Sequence, residues 1–176
     1  MTIHTEHPFM DPDEDPVRRL RARLGGAVTL WTSGDAAAGG TRAGLTVSSV
    51  MVAGGEPGRV LALVDPDCSL RDVIEATGRG VVHLLRWEHR DLAEVFAGQM
   101  PSPGGQFTTG EWDQTPYGPR LVTALTWATV EAESFASVGW SDLVIARIVE
   151  AVIGSDESPL EHRRGRYLSP GAGSPS

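Results

Sequence analysis

The chain contains no lysine; all fifteen of its basic residues are arginine. Acids outnumber them, and the net charge of −8 leaves no general basic surface, which excludes a broad nucleic-acid-binding face. Two short cationic runs, Arg18–Arg23 and His162–Arg166, leave room for a small anion. A single cysteine, Cys68, excludes an internal disulfide and a multi-cysteine metal site, and it fits a reducing compartment. No apolar run approaches about 18 residues, so no helix is expected to cross a membrane. The N-terminus lacks the charged and apolar regions of a secretory signal, and the expected location is the cytoplasm. Familiar catalytic signatures are also missing: there is no G-x-S-x-G elbow, Walker loop, H-E-x-x-H or G-x-G-x-x-G. His83, His89 and His162 are scattered without metal-ligand spacing, so no metal is expected.

What is present reads as one domain with polar ends. Residues 1–15, with His4, His7 and several prolines and acids, read as a flexible tail; 169–176 read as a Gly/Pro/Ser tail; the domain spans 16–168. Asp15 and Pro16 predict a helix start and Gly25-Gly26 its stop, with Val17, Leu20 and Leu24 on one apolar face. Strands are predicted over Ala27–Ser33, Leu45–Ala53, Val60–Val64 and Val81–Leu85, the third read as continuously buried. Ala36–Gly40 is a small, flexible connection. Ser69 and Asp72 suggest a capped helix over Ser69–Thr77, ended by Gly78. A further helix, Glu88–Phe96, stops at Gly98. Gln99–Gly118, rich in proline and glycine, reads as a long loop. Leu121–Phe135 and Asp142–Ile153 form a hairpin around Val138-Gly139-Trp140, and Leu160–Leu168 is the last ordered piece. Strands dominate and helices are too few to alternate with them. The expected fold is mainly β with peripheral helices, a closed or split antiparallel barrel.

Two segments carry candidate chemistry. Thr46 and Ser48 share one face of a strand, with Ser49 beside them and Gly44 permitting close backbone approach. Hydroxyls and backbone N–H groups there suit a phosphate; a solvent-facing strand that favours Thr and Ser is the alternative. Cys68-Ser69 opens a helix, where an N-terminus favours phosphate and plain capping is the alternative. Arg164, Arg166 and Tyr167 could face an anionic or aromatic ligand, or form a solvated charged loop. His83 sits inside an apolar strand, where a hydrogen-bonded core histidine is the default.

Taken in order, these segments resemble the flavin reductase-like family, the FMN-binding split barrels. Its members typically read as a Gly-Met-Thr-x-Asn/Ser-Ser strand, a buried strand and a Ser/Thr-bearing turn. A helix ending in glycine, a Phe-x-Val-Asn strand, a helix ending in Phe-Ala and a late Arg-Gly-Arg-Tyr follow. The counterparts here are Gly44–Ser49, Val60–Val64, Asp67–Leu70, Ile74–Gly78, Val81–Leu85, Leu92–Ala97 and Arg164–Tyr167. The resemblance covers about residues 17–168.

The resemblance implies a homodimeric split barrel binding FMN, or FAD, near the dimer interface, with NADH or NADPH as donor. It implies that Thr46, Ser48, Ser49 and Ser69, beside Cys68, hold the phosphate-ribityl arm. Val47 and Val50 would line the ring slot, with His83 nearby and Arg164, Arg166 and Tyr167 at the site. Many members hand reduced flavin to a partner monooxygenase. Three departures stand out. Many members carry Gly-Asp-His-Thr in the late hairpin, where this chain has Gly139-Trp140-Ser141-Asp142. Their Ser-x-Thr turn is Cys68-Ser69-Leu70 here, and their strand asparagine is His83. The expected function is an NAD(P)H-dependent flavin reductase; the alternative is a non-enzymatic flavin-binding module lacking the nicotinamide-side histidine.

Overall fold

The computed structural model describes residues 15–37, 40–155 and 158–168. The tails expected at 1–15 and 169–176 therefore fall almost wholly outside the described residues, as do His4, His7 and part of Ala36–Gly40. The expected split barrel is what the chain builds. Helix α1 (Pro16–Leu24) opens it, capped by the Asp15 carboxylate, which accepts the amides of Val17 and Arg18. The strands β1 (Gly26–Ala27), β2 (Thr29–Ser33), β3 (Ala43–Val47), β4 (Val50–Ala53) and β5 (Arg59–Val64) follow. Then come α2 (Ser69–Thr77), β6 (Arg79–Leu84) and α3 (Arg90–Phe96). The chain ends with β7 (Trp112–Thr115), β8 (Gly118–Leu121), β9 (Thr126–Val138), β10 (Ser141–Val152), β11 (Glu161–Arg163) and β12 (Arg166–Leu168).

Seven of these strands form one antiparallel sheet in the order β3-β2-β6-β9-β10-β5-β4. Its two edges, β3 and β4, are consecutive in sequence. In a flat sheet they would lie about 29 Å apart. The connection from Val47 to Val50 can reach only about 10 Å. The sheet must therefore curl until its edges nearly meet. Register shifts in β10 at Ile145/Ala146 and Ile148/Glu150 help it bend.

This corrects the single strand expected over Leu45–Ala53. It breaks at Ser48-Ser49, where the chain leaves the β2 edge and joins β5 on the far side. Val60–Val64 is also only half-buried: Val60, Ala62 and Val64 point into the core, while Leu63 on the other face is exposed. The long loop expected over Gln99–Gly118 contains a 3-10 turn, β7 and the start of the β7–β8 hairpin. The Ser69–Thr77 helix forms as expected and ends at Gly78, in the left-handed region (φ +69). Its N-cap is Cys68, with no side-chain cap bond, in place of the Ser69 box.

The curled sheet encloses one core around Trp31, Val47, Val60, Val64, Val82, Val130 and Val144, closed at one end by Leu70 and Ile74 of α2. A second core lies on the outer face, where Leu92, Val95 and Phe96 of α3 pack on Leu30, Leu85 and Leu121. Strand β2 runs between the two and is buried at every position.

Candidate functional site at the barrel seam

The seam leaves polar groups without partners. Around it the backbone is well tied: the Thr29 hydroxyl donates to the Val47 carbonyl at 2.7 Å, and the Leu63 amide donates to the Ser49 carbonyl at 3.0 Å. The amide N–H and hydroxyl groups of Ser48 and Ser49 find no hydrogen-bond partner among the described residues. Both residues are at least partly accessible. Four donors in two consecutive residues form a compact anion-seeking group.

Two clefts meet there. The first, about 500 Å3, lies between α1 and the sheet; Val50, Met51, Leu61, Leu63 and Leu143 make its aliphatic floor, and Arg18, Arg21, His162 and Gly165 its rim. The second, about 370 Å3, runs toward the tip of the β9–β10 hairpin, past Leu45, Thr46, Val47, Asp65, Trp140 and Ser141. Arg21, Ser48, Ser49 and Leu63 line both. No carboxylate among the described residues pairs with Arg18 or Arg21. A volume of this size, with an apolar floor and a few convergent polar groups, suits a small cofactor.

The predicted site residues divide. Thr46, Val47, Ser48, Ser49 and Val50 gather at the seam. Thr46 faces α3 on the outer side of the sheet, its hydroxyl donating to the Ala93 carbonyl at 2.7 Å. Val47 is almost fully buried in the barrel core. Cys68 and Ser69 line neither cleft. Cys68 packs against the core, and burial pushes its thiol pKa up; Ser69 is exposed.

His83 is a core residue. It has no exposed surface, its Nδ1 lies 2.8 Å from the Leu30 carbonyl, and its Nε2 accepts the Leu121 amide at 3.0 Å. That pairing requires the neutral ring with its proton on Nδ1. Burial lowers its pKa to about 4. A ligand at the seam has no path to either nitrogen, which corrects the expectation that His83 lies at the site.

The cationic turn places its side chains differently from the expectation. Arg164 (φ +53) and Gly165 (φ +73) make the two-residue turn between β11 and β12. The Arg164 amide donates to the Ala22 carbonyl at 2.8 Å, which pins the end of α1 against the hairpin. The Arg164 and Arg166 side chains are exposed and line neither cleft. Tyr167 packs on the outer core; burial, with the Glu94 carboxylate beside it, pushes its pKa up to about 12. His162 and Gly165 are the turn's contribution to the rim.

The hairpin tip is braced from below. Asp142 is buried, accepts the Arg71 Nε of α2 at 3.0 Å, and is joined by the Ser137 hydroxyl at 3.1 Å. This pairing holds Trp140 and Ser141 at the second cleft.

A family model described as the flavin reductase like domain matches residues 21–171. The chain belongs to that family. Among its relatives is the protein named FMN reductase (NADH) RutF of Ancylobacter novellus, 30% identical over 151 residues, covering 85% of this chain and 81% of that one. The reductase component of 4-nitrophenol 4-monooxygenase/4-nitrocatechol 2-monooxygenase of Rhodococcus opacus is 27% identical over 156 residues, 88% and 80% of the two chains. In structure, the chain is similar to the flavin reductase domain protein of Arthrobacter sp. FB24, with a TM-score of 0.76 at 25% identity, covering 88% and 93%.

Arg21, Met51, Leu63 and Leu143 line the clefts without having been among the predicted site residues. Arg21 carries no sequence signal beyond its place in the basic run Arg18–Arg23. The alternation of β5 puts Leu63 on the face opposite Val60, Ala62 and Val64. Leu143 comes from the distant hairpin, and no local signal marks it.

Proposed function

We propose that this chain is an NADH-dependent flavin reductase that takes FMN at the barrel seam and supplies reduced flavin to a partner monooxygenase. The observation that carries this reading is the set of unspent donors at Ser48 and Ser49, with Arg21 beside them, at the mouth of an aliphatic cleft. FMN has a matching layout, an anionic phosphate at one end and a planar ring system at the other. The relatives' names support the assignment, one as an FMN reductase using NADH and one as the reductase component of a monooxygenase. FAD shares the phosphate-ribityl arm and is the other flavin that fits.

Bound FMN would supply the acceptor for a hydride pair of electrons. The chain's own residues bind and orient. Ser48, Ser49 and Arg21 hold the phosphate by charge-assisted hydrogen bonds. Val50, Met51, Leu61 and Leu63 exclude water from one face of the ring. Such a reaction needs positioning more than a proton-transfer residue.

A second copy of the chain completes the assembly in this reading. Val17, Leu20 and Leu24, the apolar face of α1, are all more than half exposed, as is Met51 on the neighbouring edge strand. An uncovered apolar patch of this kind calls for a partner surface. We place the protein in the cytoplasm, where reduced nicotinamide and a single free cysteine are compatible; no helix among the described residues is long and apolar enough to cross a membrane.

The non-enzymatic alternative is favoured by one feature, Ser141 and Trp140 at the hairpin tip in place of an acid and a histidine. Anaerobic addition of NADH and NADPH to the FMN-loaded protein separates the two. Loss of oxidised-flavin absorbance supports the reductase; stable absorbance supports the carrier.

A further inference from the structure

The fifteen arginines divide into two groups. Arg59, Arg71, Arg86, Arg90, Arg120 and Arg147 each pair with a carboxylate. Arg42 and Arg79 lie over the rings of Phe107 and Tyr117. The remaining seven are Arg18, Arg19, Arg21 and Arg23 of α1 and Arg163, Arg164 and Arg166 of the β11–β12 hairpin. All seven are exposed, and none meets a carboxylate or an aromatic ring among the described residues. The two elements adjoin: the Arg164 amide is bonded to α1 at Ala22, and the Arg163 side chain packs beside Gly25.

Such a cluster costs stability. Arg19 and Arg23 stand one helical turn apart, and Arg163 faces Arg166 across the hairpin. Like charges in both relations repel. The helix dipole offsets part of this for Arg21 and Arg23 in the last turn of α1. Few acids can offset the rest: Asp15 accepts the first amides of α1, and Glu161 is the hairpin's one acid. A repulsion that the fold leaves standing points to an anion outside it. The corner opens on the first cleft, whose rim takes Arg18 and Arg21 from the helix and His162 and Gly165 from the hairpin. The rest of the molecule is strongly acidic, since the net charge is −8 even with these arginines included. FMN, with about two negative charges on its phosphate, is repelled by most of that surface and drawn to this corner.

We infer that the arginine corner is an electrostatic collector for anionic flavin: it draws FMN from solution toward the seam and speeds its capture, while Arg21 holds the bound phosphate. This rests on the reductase reading. Steering of this kind acts over the Debye length, about 30 Å at 0.01 M salt and about 3 Å at 1 M. It sets the association rate and its salt dependence, and leaves dissociation to the contacts in the cleft. A reductase that gives up reduced flavin must capture oxidised flavin in every cycle. Faster association raises its throughput without tighter binding.

Stopped-flow fluorescence of FMN binding, with riboflavin as the probe that lacks the phosphate, separates the two rates. The variant Arg19→Gln/Arg23→Gln/Arg164→Gln/Arg166→Gln leaves every cleft residue in place and keeps the Arg164 amide bond to α1. At about 0.01 M salt it is expected to slow FMN association about tenfold, and near about 1 M the two proteins are expected to match. FMN dissociation and riboflavin association stay at the wild-type values. FMN association equal to the wild type at low salt, a loss that appears in dissociation instead, or a loss that riboflavin shares overturns the collector. If the wild type binds FMN and is bleached by NADH while the variant associates equally fast, only the collector falls, and the arginines are left to an acidic protein surface. If the wild type takes up no FMN, the reductase reading falls and the collector with it.

Discussion

Phe96 fills the space in which a side chain at position 44 would sit: a Cβ on Gly44 would lie 2.5 Å from the Phe96 ring. The close approach that Gly44 permits is thus made by α3, which docks on β3 immediately beside the seam. Gly44→Ala is expected to cost about 1–3 kcal/mol by overpacking. In a Phe96→Ala background most of that cost is expected to disappear, because the ring is gone and only the Trp31 carbonyl, 3.3 Å away, stays close. Urea denaturation of the four proteins reads this coupling. Additive losses would show that the strain lies elsewhere.

His83 predicts a pH dependence of stability. Its folded pKa of about 4 lies below the unfolded value of 6.5, because burial disfavours the charged ring. The unfolded chain therefore binds the proton first as pH falls. The stabilising contribution is complete above about pH 6.5 and is lost between there and about pH 4. Its size is on the order of 3 kcal/mol. His83→Gln, which can both donate and accept, is expected to flatten the denaturation midpoint across that window. A variant with the wild-type slope would contradict this role.

The seam donors predict a ligand preference. Ser48→Ala/Ser49→Ala is expected to weaken FMN at least tenfold while leaving riboflavin, which lacks the phosphate, little changed. Arg21→Ala is expected to act in the same direction and more strongly at low salt. Fluorescence titration with both flavins measures the difference. Equal losses for FMN and riboflavin would remove the serines from the phosphate.

The bare face of α1 predicts an oligomer. Leu20 is 62% exposed within one chain. If a second copy covers it, the wild type sediments as a dimer and Leu20→Glu shifts it toward monomer while its far-UV circular dichroism holds. A wild-type monomer, or a variant that stays dimeric, would leave that face to something else.

Much of this fold was legible locally. Asp15, Pro16 and Gly25 bound α1, and Gly78 ends α2, because caps and left-handed glycines act within a few residues. What escaped was non-local. Ser48-Ser49 interrupt a run of β-formers whose two halves, β3 and β4, form the opposite edges of the sheet, and only the assembled order reveals the break. Trp112–Leu121 paired through a proline- and glycine-rich stretch that gave no strand period. At the site, Ser48 and Ser49 were readable as adjacent donors. Arg21 and Leu143 reach the same cleft only because α1 and the late hairpin fold back over it. His83 shows the converse case: only the family resemblance put it near a ligand, while its place in an apolar strand pointed to the core role that its partners on two other strands account for.

The central claim is that the seam binds flavin and that this chain reduces it. Protein titrated with FMN and then given NADH under anaerobic conditions, with absorbance followed near the oxidised flavin maximum, tests both parts at once. The account predicts saturable FMN binding that Ser48→Ala/Ser49→Ala weakens, followed by bleaching at a rate that depends on NADH and on the protein. Flavin that binds nowhere, or that binds and keeps its colour under NADH and NADPH alike, would contradict it.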